Sequence, residues 1–340
     1  MSLQLRVQNF RSHQDKAVVI PAETTVITGP NGSGKTSLME AIYLAFTGKS
    51  WRSNFDEILK RTDNGRSDWW RIDLSDDNNG EKRIIKYQRG QKIFQINDKQ
   101  FKRLPSASRL PVVLFEPNDV QLLYGSPTRR RQFIDRFIGQ LEPIHQTELN
   151  KFERVLKQRN NLLKQDYYNE DEMMIWNIQF SSLSSKISNR RHQYLKLINN
   201  NLESKYQEIA GNSAAVRVRF NAGAPADQAD ILRRLESTTE RITPVGAQKD
   251  DYKFIFNGSD AKVSASRGEN RTIIFAVLGT LVDLARTSSG KKVLVLLDDI
   301  DSELDQVHRL NLYNMSSFKK DTIATTLECS GNKYFNIDLS

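Results

Sequence analysis

The run Gly29-Pro30-Asn31-Gly32-Ser33-Gly34-Lys35-Thr36 fits the pattern G-x-x-x-x-G-K-[ST]. Glycines at this spacing let the backbone curl so that successive amide hydrogens point at phosphate oxygens. A lysine placed like Lys35 reaches the β- and γ-phosphates, and a hydroxyl placed like that of Thr36 ligates Mg²⁺. The chemistry on offer is capture of a nucleoside triphosphate. ATP and Mg²⁺ are the expected cofactors, and Gly29 through Ser37 the expected contacts. A plain glycine-rich turn is the competing reading, and the context argues against it. The β-prone Thr24–Thr28 precedes the loop, and the apolar-periodic Lys35–Phe46 follows it, closed by Thr47-Gly48. A strand–loop–helix order is what phosphate binding needs, because the helix N-terminus adds its dipole to the site.

A second chemical element lies far down the chain. Val293-Leu294-Val295-Leu296-Leu297 is an apolar run ending in Asp298-Asp299. Five apolar residues in a row need cover on both faces, as in a parallel sheet. Asp298 would hold Mg²⁺, and Asp299 would orient the attacking water. A strand that merely ends in an aspartate turn is the alternative, weakened by the presence of the cradle. Lys35, Asp298 and Asp299 form the expected catalytic set. About thirty residues before Asp298, Ser264-Ala265-Ser266-Arg267-Gly268-Glu269-Asn270-Arg271 opens the helical run Ile273–Leu284. An ordinary helix cap would explain this loop alone. Its place between cradle and carboxylates makes it resemble the signature loop of ABC ATPases. In that class the loop of one copy caps the γ-phosphate held by another, which assigns Ser266, Gly268 and Glu269 to the nucleotide. Ser302-Glu303-Leu304-Asp305 resembles the class's D-loop, and Gln121 is the Q-loop candidate, with Asn118 near enough to compete. ATP would then be sandwiched in an ATP-dependent homodimer. ABC proteins usually carry Glu where Asp299 stands, so water activation is expected to be less well aligned and turnover slow.

Other elements must position these groups. The chain has 340 residues, 38% hydrophobic, enough to bury a core and too few for three comfortable domains. A single cysteine, Cys329, excludes an intramolecular disulfide and suits a reducing cytosol. The opening MSLQLRVQNFRSH lacks an apolar secretion core, and Ile273–Val282 is half a membrane span, so a cytoplasmic chain with no membrane partner is expected. The net charge of +9 favours a polyanion such as nucleic acid, although a basic solvated surface would give the same figure.

The first 125 residues read as strand-rich: Leu3–Val7, Ala17–Ile20, Thr24–Thr28, and a hairpin of Arg83–Tyr87 and Ile93–Ile96 turning at Arg89-Gly90. Residues 126–235 read as a mainly helical lobe. Leu149, Phe152, Leu156, Leu162 and Leu163 recur at helical spacing, as do Trp176, Phe180, Leu183, Ile187, Tyr194, Ile198 and Leu202. Between these stripes lies a polar loop, Tyr167–Asp171, and Ala222–Asp230 reads as a linker. Residues 236–340 return to α/β character. The expected fold is α/β: an ABC-type P-loop ATPase head with an inserted α-helical lobe.

More specific motifs resemble the RecF family of SMC-like ABC ATPases. Leu5-Arg6-Val7-Gln8-Asn9-Phe10-Arg11-Ser12 is similar to its opening. Phe115-Glu116-Pro117-Asn118-Asp119, Gly125 through Asp135, Leu156 through Lys164, and Leu297 through Asp305 match further motifs in family order, so the resemblance covers essentially the whole chain. It implies an ATP-gated clamp at gapped or single-strand/double-strand DNA junctions, with weak DNA-stimulated ATPase activity. Its implied partners are RecR and, with RecO, the loading of RecA. The family's G-P-H-R-D-D stands here as Gly246-Ala247-Gln248-Lys249-Asp250-Asp251, and the ABC switch histidine is replaced by Thr325-Thr326. Arg129, Arg130, Arg131, Arg190 and Arg191 are candidate DNA contacts through their guanidinium groups. Lobe packing, the γ-phosphate or the dimer interface would use the same residues. The second functional class is a dimerisation module with little or no hydrolysis, serving as a DNA-bound scaffold. A nuclease would need a metal cluster beyond Asp298-Asp299, and a small-molecule kinase would have no use for a signature loop.

Overall fold

The computed structural model describes all residues except 63–64, 301–303, 305, 328–334 and 340. Cys329 and most of the D-loop candidate, Ser302, Glu303 and Asp305, lie outside the described residues. The chain divides into two compact units. The first holds Met1–Asp119, Glu208–Ala210 and Leu278–Ser340, and the second Val120–Gln207 and Gly211–Val277.

In the first unit, strands β1 (Leu3–Phe10), β2 (His13–Ile20), β6 (Trp69–Asp76), β7 (Glu81–Gln88), β8 (Gln91–Ile96) and β9 (Lys99–Phe101) form an antiparallel sheet in the order β2-β1-β6-β7-β8-β9. Its strands alternate buried and exposed residues, as a half-buried sheet must. A parallel sheet runs β10 (Val112–Phe115), β14 (Leu294–Leu297), β15 (Thr322–Thr325), β3 (Thr25–Thr28), β16 (Phe335–Asp338). β3, β10, β14 and β15 are buried at every position, which matches the apolar run read before Asp298.

Helix α1 (Lys35–Thr47) packs on β1, β6 and β7 of one sheet and on β10 and β15 of the other. All of its residues except Thr36 are buried, so it is the core helix. Gly48 ends it in the left-handed conformation, its amide bonded to Leu44 O. β6 was not read from the sequence. Trp70, wholly buried on it, stacks on Tyr87 at 5.8 Å and meets Phe10 edge-on at 5.5 Å. A short ribbon, β4 (Arg61–Thr62) and β5 (Gly65–Arg66), precedes β6.

The second unit begins with α2 (Gln121–Tyr124) and α3 (Pro127–Leu141). α4 (Pro143–Leu163) and α5 (Glu170–Asn199) then pair, followed by α6 (Leu202–Ala210). Phe152, Val155, Phe180 and Ile187 share one apolar cluster with Ile231 and Leu235 of α7 (Gln228–Glu236). The polar loop is shorter than expected, because Asn169 caps α5 by accepting from Glu172 N at 3.1 Å. The linker is shorter too: Asp227 accepts from Ala229 N at 2.8 Å and starts α7 at Gln228. The unit also runs beyond residue 235. β11 (Val216–Asn221) pairs with β12 (Asp251–Phe256), and β12 with β13 (Ser259–Asp260), which draws that segment onto α5. After α8 (Ala261–Ser264), α9 (Arg267–Ser289) passes from the second unit into the first at Val277–Leu278. By length and composition α9 could cross a membrane, but 67% of its apolar window is buried inside the protein.

Candidate nucleotide site

The cradle residues Gly29–Thr36 leave β3 and open α1. Gly29, Gly32 and Gly34 have φ of 143°, 87° and 96°. Gly34 has a second reason to be glycine, since a Cβ there would lie 2.3 Å from His13 Nε2 and 2.6 Å from Ser12 Oγ. The β1–β2 turn therefore seats on the cradle, and His13 Nε2 lies 3.1 Å from Gly34 O. Arg11 fixes that turn by a bidentate pair of 2.8 Å bonds to Glu40, a wholly buried carboxylate on α1.

Lys35 is buried, and its ammonium donates to Gly29 O at 2.6 Å and Pro30 O at 3.1 Å. The Ser33 hydroxyl is buried with no hydrogen-bond partner. An orphaned donor beside an inward-folded lysine fits an anion, which would engage both. Pro30, Asn31 and Gly32 are exposed, and Ser37 is buried in the first turn of α1.

β14 brings Asp298 to this loop. Its Oδ1 accepts from Thr36 Oγ1 at 2.9 Å and from Thr325 Oγ1 at 2.8 Å. Burial pushes the Asp298 carboxyl above its ordinary pKa. The two threonine hydroxyls and the Arg52 charge oppose this, while Asp299 adds to it. A divalent cation would relieve that buried charge, with the Thr36 hydroxyl and Asp298 carboxylate as its protein ligands. Asp299 sits in the left-handed region, φ 50°, and its amide donates to Thr325 Oγ1 at 2.8 Å. Thr325, in the place read for the switch histidine, thus ties the Asp298 carboxylate to the Asp299 backbone amide through one hydroxyl. Among the described residues no group of three or more His, Cys, Asp or Glu could hold another metal.

The structure brings together Lys35, Thr36, Asp298, Asp299 and Thr325. The signature loop and Gln121 belong to the second unit. Ser266 and Glu269 form a reciprocal cap, Ser266 N donating to Glu269 Oε2 at 2.7 Å and Glu269 N to Ser266 Oγ at 3.2 Å. Ser266 and Gly268 stay exposed, and the Ser266 O–H remains able to donate. Gln121 is exposed as the first residue of α2.

Sequence reasoning missed several residues here. Asn270, wholly buried, donates to Tyr124 Oη at 2.5 Å and holds the loop's base. Arg52, 4.0 Å from Glu40 Oε2, supplies a cation whose field reaches Asp298. Glu40 carries no motif of its own, and His13, the last position of the family's opening motif, gains a role only through the fold.

The structure gives four of the five arginines read as DNA contacts the packing role that was the alternative to DNA. Arg191 is 4% exposed and binds Asp135 at 2.9 and 2.7 Å and Asp250 at 2.8 Å. Arg130 is 7% exposed and grips Asp251 at 2.6 and 2.9 Å. Arg190 pairs with Glu142 and Glu148 at 2.8 and 2.6 Å. Arg131 donates to Asp250 O at 2.8 Å and Thr128 Oγ1 at 3.0 Å. Buried carboxylates require such partners, so these guanidinium groups hold the second unit together. The Asp250-Asp251 pair of the altered motif anchors Arg130, Arg131 and Arg191. Arg129, half-buried, has no carboxylate partner among the described residues, and Arg131 bonds only a backbone carbonyl and a hydroxyl.

Comparison with known proteins agrees with this geometry. Over 357 residues the chain is 29% identical to the DNA replication and repair protein RecF of Geobacillus thermodenitrificans, covering 97% of this chain and 93% of that one. It is 27% identical over 352 residues to RecF of Acetivibrio thermocellus, covering 98% and 95%. A solved structure of the recombination mediator protein RecF-ATPrS in the RecFOR pathway superposes with a TM-score of 0.83 at 24% identity, covering 99% of this chain and 96% of that one. The Smc head bound to the C-terminal domain of ScpA derived from Pyrococcus furiosus gives 0.53 at 16% identity, covering 96% and 89%. The fold is thus the SMC-like ABC ATPase head. The RecF/RecN/SMC N terminal domain model matches residues 3–328, so the chain belongs to that family, and its full-length likeness sets it beside RecF proteins.

Proposed function

We propose that this chain is an ATP-dependent DNA-binding protein of recombinational repair and replication-gap processing. ATP and Mg²⁺ bind at Gly29–Ser37 with Asp298. The signature loop of a second copy, through Ser266 and Gly268, closes the site, and the resulting dimer clamps DNA near single-strand/double-strand junctions. Slow hydrolysis, with Asp299 orienting water, resets it. RecR, and through it RecO and RecA, are the partners that likeness to RecF suggests, in the cytoplasm. The observation that carries this reading is the contact of Thr36, Asp298 and Thr325 beneath a cradle with an unpartnered Ser33 hydroxyl.

When bound, ATP supplies the phosphoanhydride to be broken and Mg²⁺ the charge that steadies its phosphates. The chain's part is positional. Lys35 exchanges two carbonyls for phosphate oxygens, Thr36 and Asp298 hold the cation, and Thr325 links the Asp298 carboxylate to the backbone of Asp299. The left-handed backbone and short side chain of Asp299 favour a second reading, a DNA-bound scaffold that dimerises on ATP with little hydrolysis. ATP hydrolysis with gapped DNA, wild type against Lys35→Ala, separates the two. Turnover lost in the variant supports the enzyme, and equal traces of activity in both support the scaffold. Absence of ATP binding in the wild type refutes both.

A further inference from the structure

The packing role of these arginines leaves the DNA surface unassigned, and the first unit carries a feature that its own packing does not explain. In the β4–β5 ribbon, Arg61 stands directly opposite Arg66. Like charges in that position repel and weaken the pairing. Both residues are exposed, and neither has a carboxylate partner among the described residues. Arg66 makes one long bond, 3.5 Å, to Asp56 O. Of the nearby acids, Asp68 is taken by Arg89 at 2.8 Å, and Glu57 Oε2 accepts from Asn54 N at 3.2 Å.

The ribbon is firmly based. Lys60 N donates to Asn9 O at 3.1 Å, Ser67 N to Lys60 O at 2.9 Å, and Arg11 N to Ile58 O at 2.8 Å. Its stem is therefore tied to the end of β1 and to the turn that seats on the cradle. Lys60 Nζ, 3.0 Å from Ser12 O, adds a third cation at the base. Lys60 and Lys16 are close enough to His13 to join burial in pushing its pKa down. A pair of guanidinium groups on a stem tied to the core, with no carboxylate partner among the described residues, is arranged for an external polyanion.

We propose that Arg61 and Arg66, with Lys60 at their base, form a two-pronged clamp on the phosphodiester backbone of DNA. This rests on the DNA-binding function proposed above and gives it a surface. Two guanidinium groups side by side offer bidentate contacts to phosphates. Such contacts position a duplex without reading sequence, as a junction-binding protein requires. The ribbon's attachment beside the cradle also places bound DNA next to the turn that touches the nucleotide loop.

The test is fluorescence anisotropy on a gapped duplex across a salt series with ATP present. It compares the full chain with Arg61→Ala/Arg66→Ala and with Arg61→Lys/Arg66→Lys. Loss of two phosphate contacts should reduce the slope of log K against log salt by about 1.8 in the alanine pair. The lysine pair should keep most of the slope. Thermal unfolding reports folding, and both residues are exposed on a two-residue ribbon, so the midpoint should hold. An unchanged slope and affinity in the alanine pair would overturn the clamp. So would a loss of ATP affinity with DNA binding intact, since the pair would then serve the nucleotide. A wild type that binds no DNA at any salt overturns the parent reading and the clamp with it.

Discussion

Replacing Thr325 by valine keeps the shape of a wholly buried residue and deletes one hydroxyl. That hydroxyl donates to Asp298 Oδ1 at 2.8 Å and accepts from Asp299 N at 2.8 Å. A hydrogen bond to a charged group contributes about 1.5–3 kcal/mol, and a buried amide left unpaired costs about 1–3 kcal/mol. The added methyl returns somewhat under 1 kcal/mol by burial. The net loss should be about 3 kcal/mol near neutral pH, read by urea denaturation without nucleotide. The pH dependence is the sharper part. Burial already raises the Asp298 pKa, and the Thr325 bond opposes that rise. Without the hydroxyl the folded-state pKa climbs further. A carboxyl whose folded pKa is raised weakens the fold as pH rises from the ordinary carboxylate range through the folded value, and not below it. The deficit of Thr325→Val against wild type should therefore be smallest in acid and full at neutral pH. Thr325→Ser, which keeps the hydroxyl, should lose little. A deficit of the same size at all pH values would refute the charge argument, and no deficit would refute the geometry.

Gly34→Ala should destabilise by about 1–3 kcal/mol from backbone strain alone. Adding His13→Ala should recover only part of the loss, because the φ of 96° and the approach to Ser12 Oγ remain. Thermal unfolding of the single and double variants checks this. Arg191→Met strands Asp135 and Asp250 in the second unit and should cost about 3–5 kcal/mol in urea denaturation. The further changes Asp135→Asn and Asp250→Asn should return part of it. Asp299→Glu, in a left-handed position that Asp tolerates better than Glu, should lose about 1 kcal/mol of stability yet hydrolyse ATP at least as fast in a single turnover. A much slower variant would refute the idea that the short carboxylate limits water activation.

The candidate nucleotide site was largely legible because the chemistry proposed for it demands fixed residue types at fixed local spacing. Gly29–Thr36, Asp298 and the α1 C-cap all occupy the elements that their patterns implied. What supports them was not legible. His13, Glu40, Arg52 and Tyr124 act through contacts between segments far apart in sequence, and no periodicity reports those. The arginines could not be assigned between DNA and packing for the same reason. A pair such as Arg190-Arg191 looks identical whether it faces solvent or two buried carboxylates, and its partner Asp250 is 59 residues away. The capping boundaries at Asn169 and Asp227 were missed because acidic and amide side chains that mark loops also start helices.

The central claim is that ATP joins two copies through the cradle of one and the signature loop of the other. Sedimentation velocity with Mg²⁺, with and without ATP and gapped DNA, tests it most directly on wild type and Ser266→Arg. Wild type should form a dimer that needs ATP, and the variant should bind ATP but stay monomeric. A wild type that is monomeric under every condition, or a Ser266→Arg variant that dimerises normally, would contradict it.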